Sequence, residues 1–165
     1  NKRFWYNVVG DFIKYYQVKS SFKILDIGCG KGFMLHDFKK QIPKLKIYGI
    51  DISKYAIKNS LPKIKKYLKV SNCKNLPFDN NYFDLVISIN TIHNLNKRDC
   101  GKSLKEISRV SKGKCFITVD AYRNKEEKER MFKWNLTAKT ILSDKKWISF
   151  FKKNEYKGDY YWFTP

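Results

Sequence analysis

The chain has 165 residues, of which 42% are hydrophobic and 30% charged, as expected for one globular domain with its own core. No apolar run approaches the roughly 18 residues that a membrane span needs, and no secretory signal is visible. We therefore expect a cytoplasmic protein that does not contact membranes. The chain begins at Asn1 rather than Met, and we expect further sequence at one or both ends.

Positive charge dominates the chain, with a formal net charge of +20 at pH 7. Lysine is far more common than arginine, and the lysines form only short clusters, at residues 63–69 and 145–153. This pattern has two interpretations, a solvated surface shaped by AT-rich codons or an anionic partner such as RNA. The scarcity of arginine, which contacts phosphate and guanine through paired hydrogen bonds, favours the solvated surface.

The four cysteines are Cys29, Cys73, Cys100 and Cys115. They form no C-x-x-C pair and have no metal-ligand spacing with histidine, so we expect no metal site. The pattern is typical of free thiols in a reducing compartment.

Helical and strand-like patterns alternate along the chain. Period and turn residues predict strands at residues 23–27, 46–50, 67–70, 84–89, 115–119 and 160–163. Helices are predicted at residues 3–17, 32–41 and 124–134. A further helix runs from Ser53 towards Leu61, and another carries Cys100, Leu104, Ile107 and Val110 and is ended by Gly113. The last predicted helix is capped by Ser143 and has Trp147, Ile148 and Phe151 on one face. Residues 76–81 read as a loop. This alternation predicts an α/β fold with a doubly wound, mostly parallel sheet and helices on both faces.

The stretch ILDIGCGKGF, residues 24–33, follows the first predicted strand and contains Gly28, Gly30 and Gly32 after Asp26. Glycines allow the backbone to approach a ligand closely, and the following helix directs its amino end to the same place. A tight turn without a ligand would also use glycines. The spacing D-x-G-x-G-x-G matches neither the dinucleotide fingerprint G-x-G-x-x-G nor the P-loop.

The glycine stretch resembles the first motif of class I S-adenosylmethionine-dependent methyltransferases. Asp51 in YGIDIS follows about 20 residues later, and SNC at 71–73 and LPFDNNYFDLVISIN at 76–90 come in the family's order. The resemblance covers about residues 23–119. It implies a Rossmann-like sheet of order 3-2-1-4-5 with a C-terminal antiparallel strand, and S-adenosylmethionine as cofactor, with S-adenosylhomocysteine as product. We expect one methyltransferase domain, 1–165, with an N-terminal helix in 1–20, a cofactor-binding core in 23–120 and a substrate-side segment in 121–165.

The resemblance also implies roles for single residues. Asp26 and the glycine stretch would surround the methionine part of the cofactor, Asp51 would bind the ribose, and Asn90 would lie beside the sulfonium. The full set of implied cofactor-binding residues is Asp26, Gly28, Cys29, Gly30, Gly32, Asp51, Ile52, Asn72, Cys73 and Asn90, with Ile52, Asn72 and Cys73 at the adenine. Asn72 stands where many relatives carry Asp, and its amide oxygen still offers an acceptor.

His93 in NTIHNL is the candidate catalytic residue, a general base on the rim where an acceptor would approach. A loop histidine that fixes local hydrogen bonds is the alternative. Asp120, Tyr122 and Arg123 follow the fifth strand on the same rim and either contact substrate, cap the next helix or face solvent. The aromatic residues Trp134, Tyr160, Tyr161 and Trp162 are expected in the core and at the sheet edge rather than in a substrate wall.

The expected function is methyl transfer to a small-molecule acceptor, on O or N rather than C. An RNA-directed methyltransferase is the second hypothesis, favoured by the charge; the [DN]-P-P-[YFW] motif of DNA amino-methylases is absent, since the chain has Asn90-Thr91-Ile92-His93. A catalytically silent cofactor-binding or scaffold subunit is the third.

Overall fold

The computed structural model describes residues 4–165 and alternates helices with strands, as the sequence predicts. The helices are α1 Phe4–Tyr16, α2 Phe33–Gln41, α3 Lys54–Lys58, α4 Lys97–Val110, α5 Lys125–Trp134 and α6 Asp144–Lys153. The strands are β1 Lys23–Ile27, β2 Lys46–Asp51, β3 Leu68–Val70, β4 Leu85–Ser88, β5 Cys115–Tyr122, β6 Leu142–Ser143 and β7 Asp159–Phe163. All six predicted strands are present within a few residues of their predicted bounds. The predicted start of α1 at residue 3 lies outside the described residues.

The strands form one sheet of order β3-β2-β1-β4-β5-β6, with β7 also paired to β5. The predicted order 3-2-1-4-5 is confirmed, but the prediction of an antiparallel last strand is wrong. Strand β7 pairs with β5 in parallel, from Phe116 opposite Asp159 to Asp120 opposite Phe163. The reason is the short strand β6, which the sequence analysis missed. It pairs with the carboxyl end of β5, so α6 then returns the chain to the amino end before β7 begins.

Alternating strand residues face two hydrophobic layers, one on each side of the sheet. Ile24 and Leu85 pack with buried residues of α1 and α2 on one side. Leu25 and Val86 pack with α4 and α6 on the other side. Helices therefore cover both faces, as predicted, and the carboxyl ends of β1, β2, β4 and β5 meet at one edge.

Three local predictions differ from the structure. Ser53 caps α3 through a hydrogen bond from the Ala56 N–H, but the helix ends at Lys58 instead of running towards Leu61. Ile148 on α6 is 49% exposed, because Phe150 rather than Ile148 packs beside Trp147. Helix α4 ends at Val110, before Gly113, which occupies a positive-φ position in the turn to β5.

Two further expectations concern cysteines and membranes. All four cysteines are free thiols, and Cys73 is the only one of them that is not buried. Within residues 4–165, no helix combines the length and the apolar character that crossing a bilayer requires.

Candidate active site

The glycine stretch lies where strands β1 and β2 end. The N–H groups of Gly28 and Cys29 both donate to the Ile50 carbonyl, at 2.8 and 3.0 Å. The Gly30 N–H donates to Asp51 Oδ2 at 2.8 Å, and the Ser53 N–H donates to Asp51 Oδ1 at 2.8 Å. The carboxylate of Asp51 thus ties the loop after β1 to the start of α3.

All three glycines of the stretch have left-handed backbone geometry. Gly28 and Gly30 have φ angles of 81° and 53°, in the left-handed region that side chains disfavour. A Cβ on Gly28 would overlap the side chain of Thr91, whereas a Cβ on Gly30 would meet no described atom within 4 Å. Gly28 therefore allows close approach of the β4 loop, and Gly30 leaves open space beside the loop.

Two cavities adjoin this loop. The Asp26 cavity, about 300 Å³, is lined by Asp26, Gly28, Cys29, Gly30 and Asn90, among others. The Asp51 cavity, about 320 Å³, is lined by Gly28, Asp51, Ile52, Asn72, Cys73 and Asn90, among others. They share Gly28, Ile89 and Asn90. The structure thus brings together every predicted cofactor-binding residue except Gly32.

Gly32 is not among the described residues that line either cavity. It immediately precedes α2 with a φ of 80°, and a Cβ there would overlap Ile64 and crowd Leu68. Its role is to let α2 pack closely against the segment before β3.

Asp26 is buried and faces the Asp26 cavity. Only 4% of the residue is exposed, and no described group donates a hydrogen bond to its carboxyl. Burial, and secondarily the charge of Asp51, raise the pKa of Asp26 to about 8. A ligand cation in this cavity would stabilise the ionised carboxylate.

The Asp51 cavity combines polar and apolar walls. Ile52 is 70% exposed, an unusual placement for a large aliphatic side chain beside a cavity. Asn72 accepts a hydrogen bond from the Lys74 N–H at 2.9 Å, and the Cys73 thiol accepts one from Ser103 at 3.3 Å. This wall suits a flat heterocycle that packs on Ile52 and meets polar groups at its edge.

Asn90 lies between the two cavities, two residues after the end of β4. Its φ of 47° is left-handed, a conformation that asparagine tolerates better than most residues. Thr118 on β5 holds it there, since Thr118 Oγ1 accepts from the Asn90 N–H at 2.8 Å and donates to Asn90 Oδ1 at 2.6 Å.

His93 is not on the rim that the sequence predicts for it. It is 4% exposed, and its Nδ1 accepts a hydrogen bond from the Asp120 N–H at 3.2 Å. Its Nε2 lies 3.7 Å from Asp120 Oδ2, and burial lowers the pKa of His93 to about 4. The geometry therefore favours the alternative, a histidine that fixes local hydrogen bonds, because the ring faces neither cavity.

The other predicted rim residues also turn away from the cavities. Asp120 is 2% exposed, and burial raises its pKa to about 6. Arg123 is exposed and forms an ion pair with Glu127 at 2.7 Å. Among the described residues, none of Asp120, Tyr122 and Arg123 lines either cavity.

A third and larger concavity, the aromatic groove, adjoins the Asp26 cavity. Its volume is about 920 Å³, and its walls are α1, β5 and β7, with Trp5, Phe12, Tyr15, Tyr16, Phe116 and Tyr161 as aromatic lining. Trp5 and Ile89 line both this groove and the Asp26 cavity. Tyr161 lines the groove from the edge strand β7, whereas the ring of Tyr160 packs against Phe151 of α6 on the other face of the sheet. The expectation of a core or sheet-edge position therefore holds for Tyr160, and Tyr161 additionally forms a wall of the groove.

Sequence patterns did not predict the roles of Trp5 and Ile89. Trp5 belongs to the apolar stripe of a helix, which ordinarily signals core packing. The one available signal was Asp11, a charged residue beside that stripe.

A fourth concavity lies at the opposite edge of the sheet. This lysine groove, about 400 Å³, is lined by Lys39, Lys44, Lys46, Lys66 and Lys69, with Tyr48, Tyr67 and Phe78. It adjoins the amino end of β2, where Lys46 is the first residue of the strand.

The sheet order and the glycine-bounded cavities at its carboxyl edge define a class I, Rossmann-like methyltransferase domain, whose cofactor is S-adenosylmethionine. The chain belongs to the family described as methyltransferase domain, whose model matches residues 25–118. The family match supports the expected cofactor and the expected class of enzyme.

Two curated relatives and one crystal structure illustrate the range of the similarity. Arginine-hydroxylase NDUFAF5 of Mus musculus is 36% identical over 99 residues, which cover 59% of this chain and 28% of that protein. The tRNA (carboxymethyluridine(34)-5-O)-methyltransferase of Arabidopsis thaliana is 33% identical over 123 residues, covering 72% of this chain and 29% of that protein. The chain thus spans less than a third of the length of these two relatives.

The crystal structure of YcgJ from Bacillus subtilis superposes with a TM-score of 0.71 at 21% identity, covering 90% of this chain and 67% of that one. Since the identity is low, this similarity concerns the fold alone. The names of the two relatives refer to different reactions, so the similarity leaves the acceptor open.

Proposed function

We propose that this domain binds S-adenosylmethionine across the Asp26 and Asp51 cavities and transfers its methyl group to a small molecule held in the aromatic groove. The observation that carries this proposal is the shared lining. Trp5 and Ile89 belong both to the groove and to the Asp26 cavity, so an acceptor in the groove would lie beside the cofactor.

The residues present fit this cofactor. Asp26 would release its proton and pair with the ammonium of the methionine part, because that cation offsets the cost of burying the ionised carboxylate. Asp51 keeps free lone pairs on both carboxylate oxygens after accepting its two backbone N–H groups, and these would accept the ribose hydroxyls. Ile52 would pack on the adenine, and Asn72 and Cys73 would meet its edge.

When bound, the cofactor supplies an activated methyl group, which bonds to the acceptor lone pair as the carbon–sulfur bond breaks and sulfur keeps the electron pair. A hydroxyl or amine acceptor releases its proton to solvent water. The protein's task is alignment, which supplies on the order of 7–11 kcal/mol in favourable cases. Asn90, held rigidly by Thr118, would fix the wall between the cofactor and the acceptor.

Calorimetry with S-adenosylhomocysteine, followed by a metabolite screen with methyl-labelled S-adenosylmethionine and mass spectrometry of the products, tests this proposal. We expect saturable binding of one equivalent and transfer of label to a small molecule. Binding without transfer to any metabolite or RNA would favour a silent subunit, and absence of binding would refute the cofactor site.

An RNA acceptor is the second candidate, supported by the lysine groove and by the relative named as a tRNA methyltransferase. The position of the lysine groove counts against an RNA acceptor, because the groove adjoins the amino end of β2 whereas the cofactor cavities adjoin the carboxyl ends.

Nonspecific contacts of lysine with phosphate weaken steeply with salt. Fluorescence anisotropy of labelled RNA across a salt series tests this alternative. Binding that persists above physiological salt would favour it, and binding lost by that point would count against it.

A further inference from the structure

The aromatic groove has a direction that follows from strand register. Thr118 on β5 pairs with Tyr161 on β7, and two residues earlier Phe116 pairs with Asp159. Residues two apart on a strand face the same side of a sheet, so these four side chains share one floor. Ile89 follows Ser88, which pairs with Ile117, and so lies level with Thr118. The groove therefore runs from the cofactor end at Ile89 to an acidic end at Asp159.

Two residues of strand, about 7 Å, separate these ends along the strand direction, and the two strand spacings from β4 through β5 to β7 add about 10 Å across it, so the ends lie roughly 12 Å apart. Helix α1 covers the floor along the same line. Trp5 lies at the cofactor end, and Tyr16 lies at the acidic end, where its hydroxyl donates to Asp159 Oδ2 at 2.7 Å. No described group donates to the other oxygen of Asp159.

The charge of the groove is opposite to that of the chain. The protein has 35 basic and 15 acidic residues, yet no lysine or arginine of residues 4–165 lines the groove, and two carboxylates, Asp11 and Asp159, do. Six aromatic side chains, those of Trp5, Phe12, Tyr15, Tyr16, Phe116 and Tyr161, form most of the remaining lining. The electron-rich faces of such rings attract cations.

We propose that the methyl acceptor is a molecule with a flat apolar body that carries a cationic amine roughly 12 Å from the methylated atom. This inference rests on the proposed function of the groove as the acceptor site. The amine pairs with Asp159, with Asp11 adding negative potential along α1. The apolar body lies on Phe116 and Tyr161, and the methylated atom faces Ile89.

The closing experiment uses three probes that share one body, a 4-hydroxyphenyl ring with a five-carbon tail that ends in an amine, an alcohol or a carboxylate. Their dissociation constants are measured by calorimetry on the full chain saturated with S-adenosylhomocysteine. We expect the amine to bind about tenfold more tightly than the alcohol and the carboxylate to bind most weakly. Equal binding of the three probes, or tightest binding of the carboxylate, would overturn the proposal.

Two variants locate the amine. Asp159→Asn still accepts the Tyr16 hydroxyl and should weaken the amine about fivefold or more without changing the alcohol. Asp79→Asn, an exposed aspartate in the loop before β4, is the matched control and should change neither. A loss of affinity that is the same for amine and alcohol in Asp159→Asn would refute the amine assignment.

The aromatic wall is tested separately. Tyr161→Ala should weaken all three probes, whereas Tyr55→Ala, which removes a comparably exposed tyrosine on α3, should weaken none. Equal effects of the two variants would contradict the groove as the probe site. If the cofactor product binds but no probe does, the inference fails and the cofactor site stands; if probes bind but the cofactor product does not, the proposed function fails.

Discussion

The two ends of the central sheet carry opposite charges. Asp26 and Asp51 lie at the carboxyl ends of β1 and β2, and Asp120 lies near that of β5. At the other end, Lys23 and Lys46 are the first residues of β1 and β2, and Lys44 of the lysine groove lies two residues before β2 begins. The difference shows that a net charge of +20 describes the solvated surface and does not describe the site.

The charged groups at the two ends also differ in their exposure to solvent. The lysines lie in high dielectric, where salt screens them. At the carboxyl edge, Asp51 is fixed by two backbone N–H groups, and Asp26 and Asp120 are buried away from solvent. Substitutions at the carboxyl edge should therefore have large, specific effects, and substitutions at the amino edge should have small ones.

The largest effect is expected for Asp51→Ala. The substitution removes the acceptor of the Gly30 and Ser53 N–H groups together with the proposed ribose partner. We expect the dissociation constant of S-adenosylhomocysteine to rise about 100-fold or more, which corresponds to about 3 kcal/mol. Calorimetry measures this, with Asp79→Ala as control. An unchanged constant would show that the Asp51 cavity is not the ribose site.

Asp26→Asn should separate binding from stability. The folded chain holds the Asp26 proton up to a pKa of about 8, whereas the unfolded value is near 3.8. Folding therefore takes up a proton between these values, and the parent protein loses stability as pH rises through this window. The asparagine variant lacks this loss. The free energy of unfolding of the variant, relative to that of the parent, should therefore rise by at least about 1.4 kcal/mol from pH 5 to pH 8.

The same variant should bind S-adenosylhomocysteine about tenfold more weakly, since the ammonium loses its carboxylate. In the parent protein, binding at pH 7 should release a proton, seen by calorimetry in buffers of different ionisation enthalpy. The variant should release less. Equal proton release would mean that Asp26 does not meet the cofactor.

His93→Ala should act on stability rather than on the cofactor. It leaves the Asp120 N–H without its acceptor, which costs about 1–3 kcal/mol, while S-adenosylhomocysteine affinity stays the same. Because burial lowers the pKa of His93 from 6.5 to about 4, the unfolded state binds the proton first, and the parent loses stability as pH falls through that window. Thermal unfolding should therefore show that the melting temperatures of the parent and the variant converge as the pH falls from 7 to 4.5. A variant that unfolds like the parent at pH 7 but turns over more slowly would restore His93 as the base.

The smallest effect is expected at the amino edge. Lys44→Glu combined with Lys46→Glu should change S-adenosylhomocysteine affinity by less than about twofold, because exposed charges far from the site are screened. The pair should weaken RNA binding at low salt. A change in cofactor affinity as large as that caused by Asp26→Asn would contradict the inference that charges at the amino edge do not affect the cofactor site.

Sequence patterns predicted the strands well because buried parallel strands are nearly continuous apolar runs. They also placed Asp26, Asp51 and Asn90 at strand ends, where a parallel sheet brings its ligand contacts together. They missed β6, since two residues carry no periodic signal, and with it the direction of β7. They also could not distinguish His93 facing a rim from His93 facing the interior, because the orientation of its ring depends on the Asp120 backbone, 27 residues away.

By itself, the sequence determined the cofactor end of this protein. Its glycines and the acidic residue that ends β2 form short-range patterns in which each residue's backbone requirement is local, and the strand order is what the family resemblance of these patterns implies. The acceptor end was decided only by tertiary structure. Trp5 on α1, Ile89 after β4, and Asp159 and Tyr161 on β7 come from three separate parts of the chain. Only the packing of α1 over the parallel pair β5–β7 collects them into one groove of acidic and aromatic character.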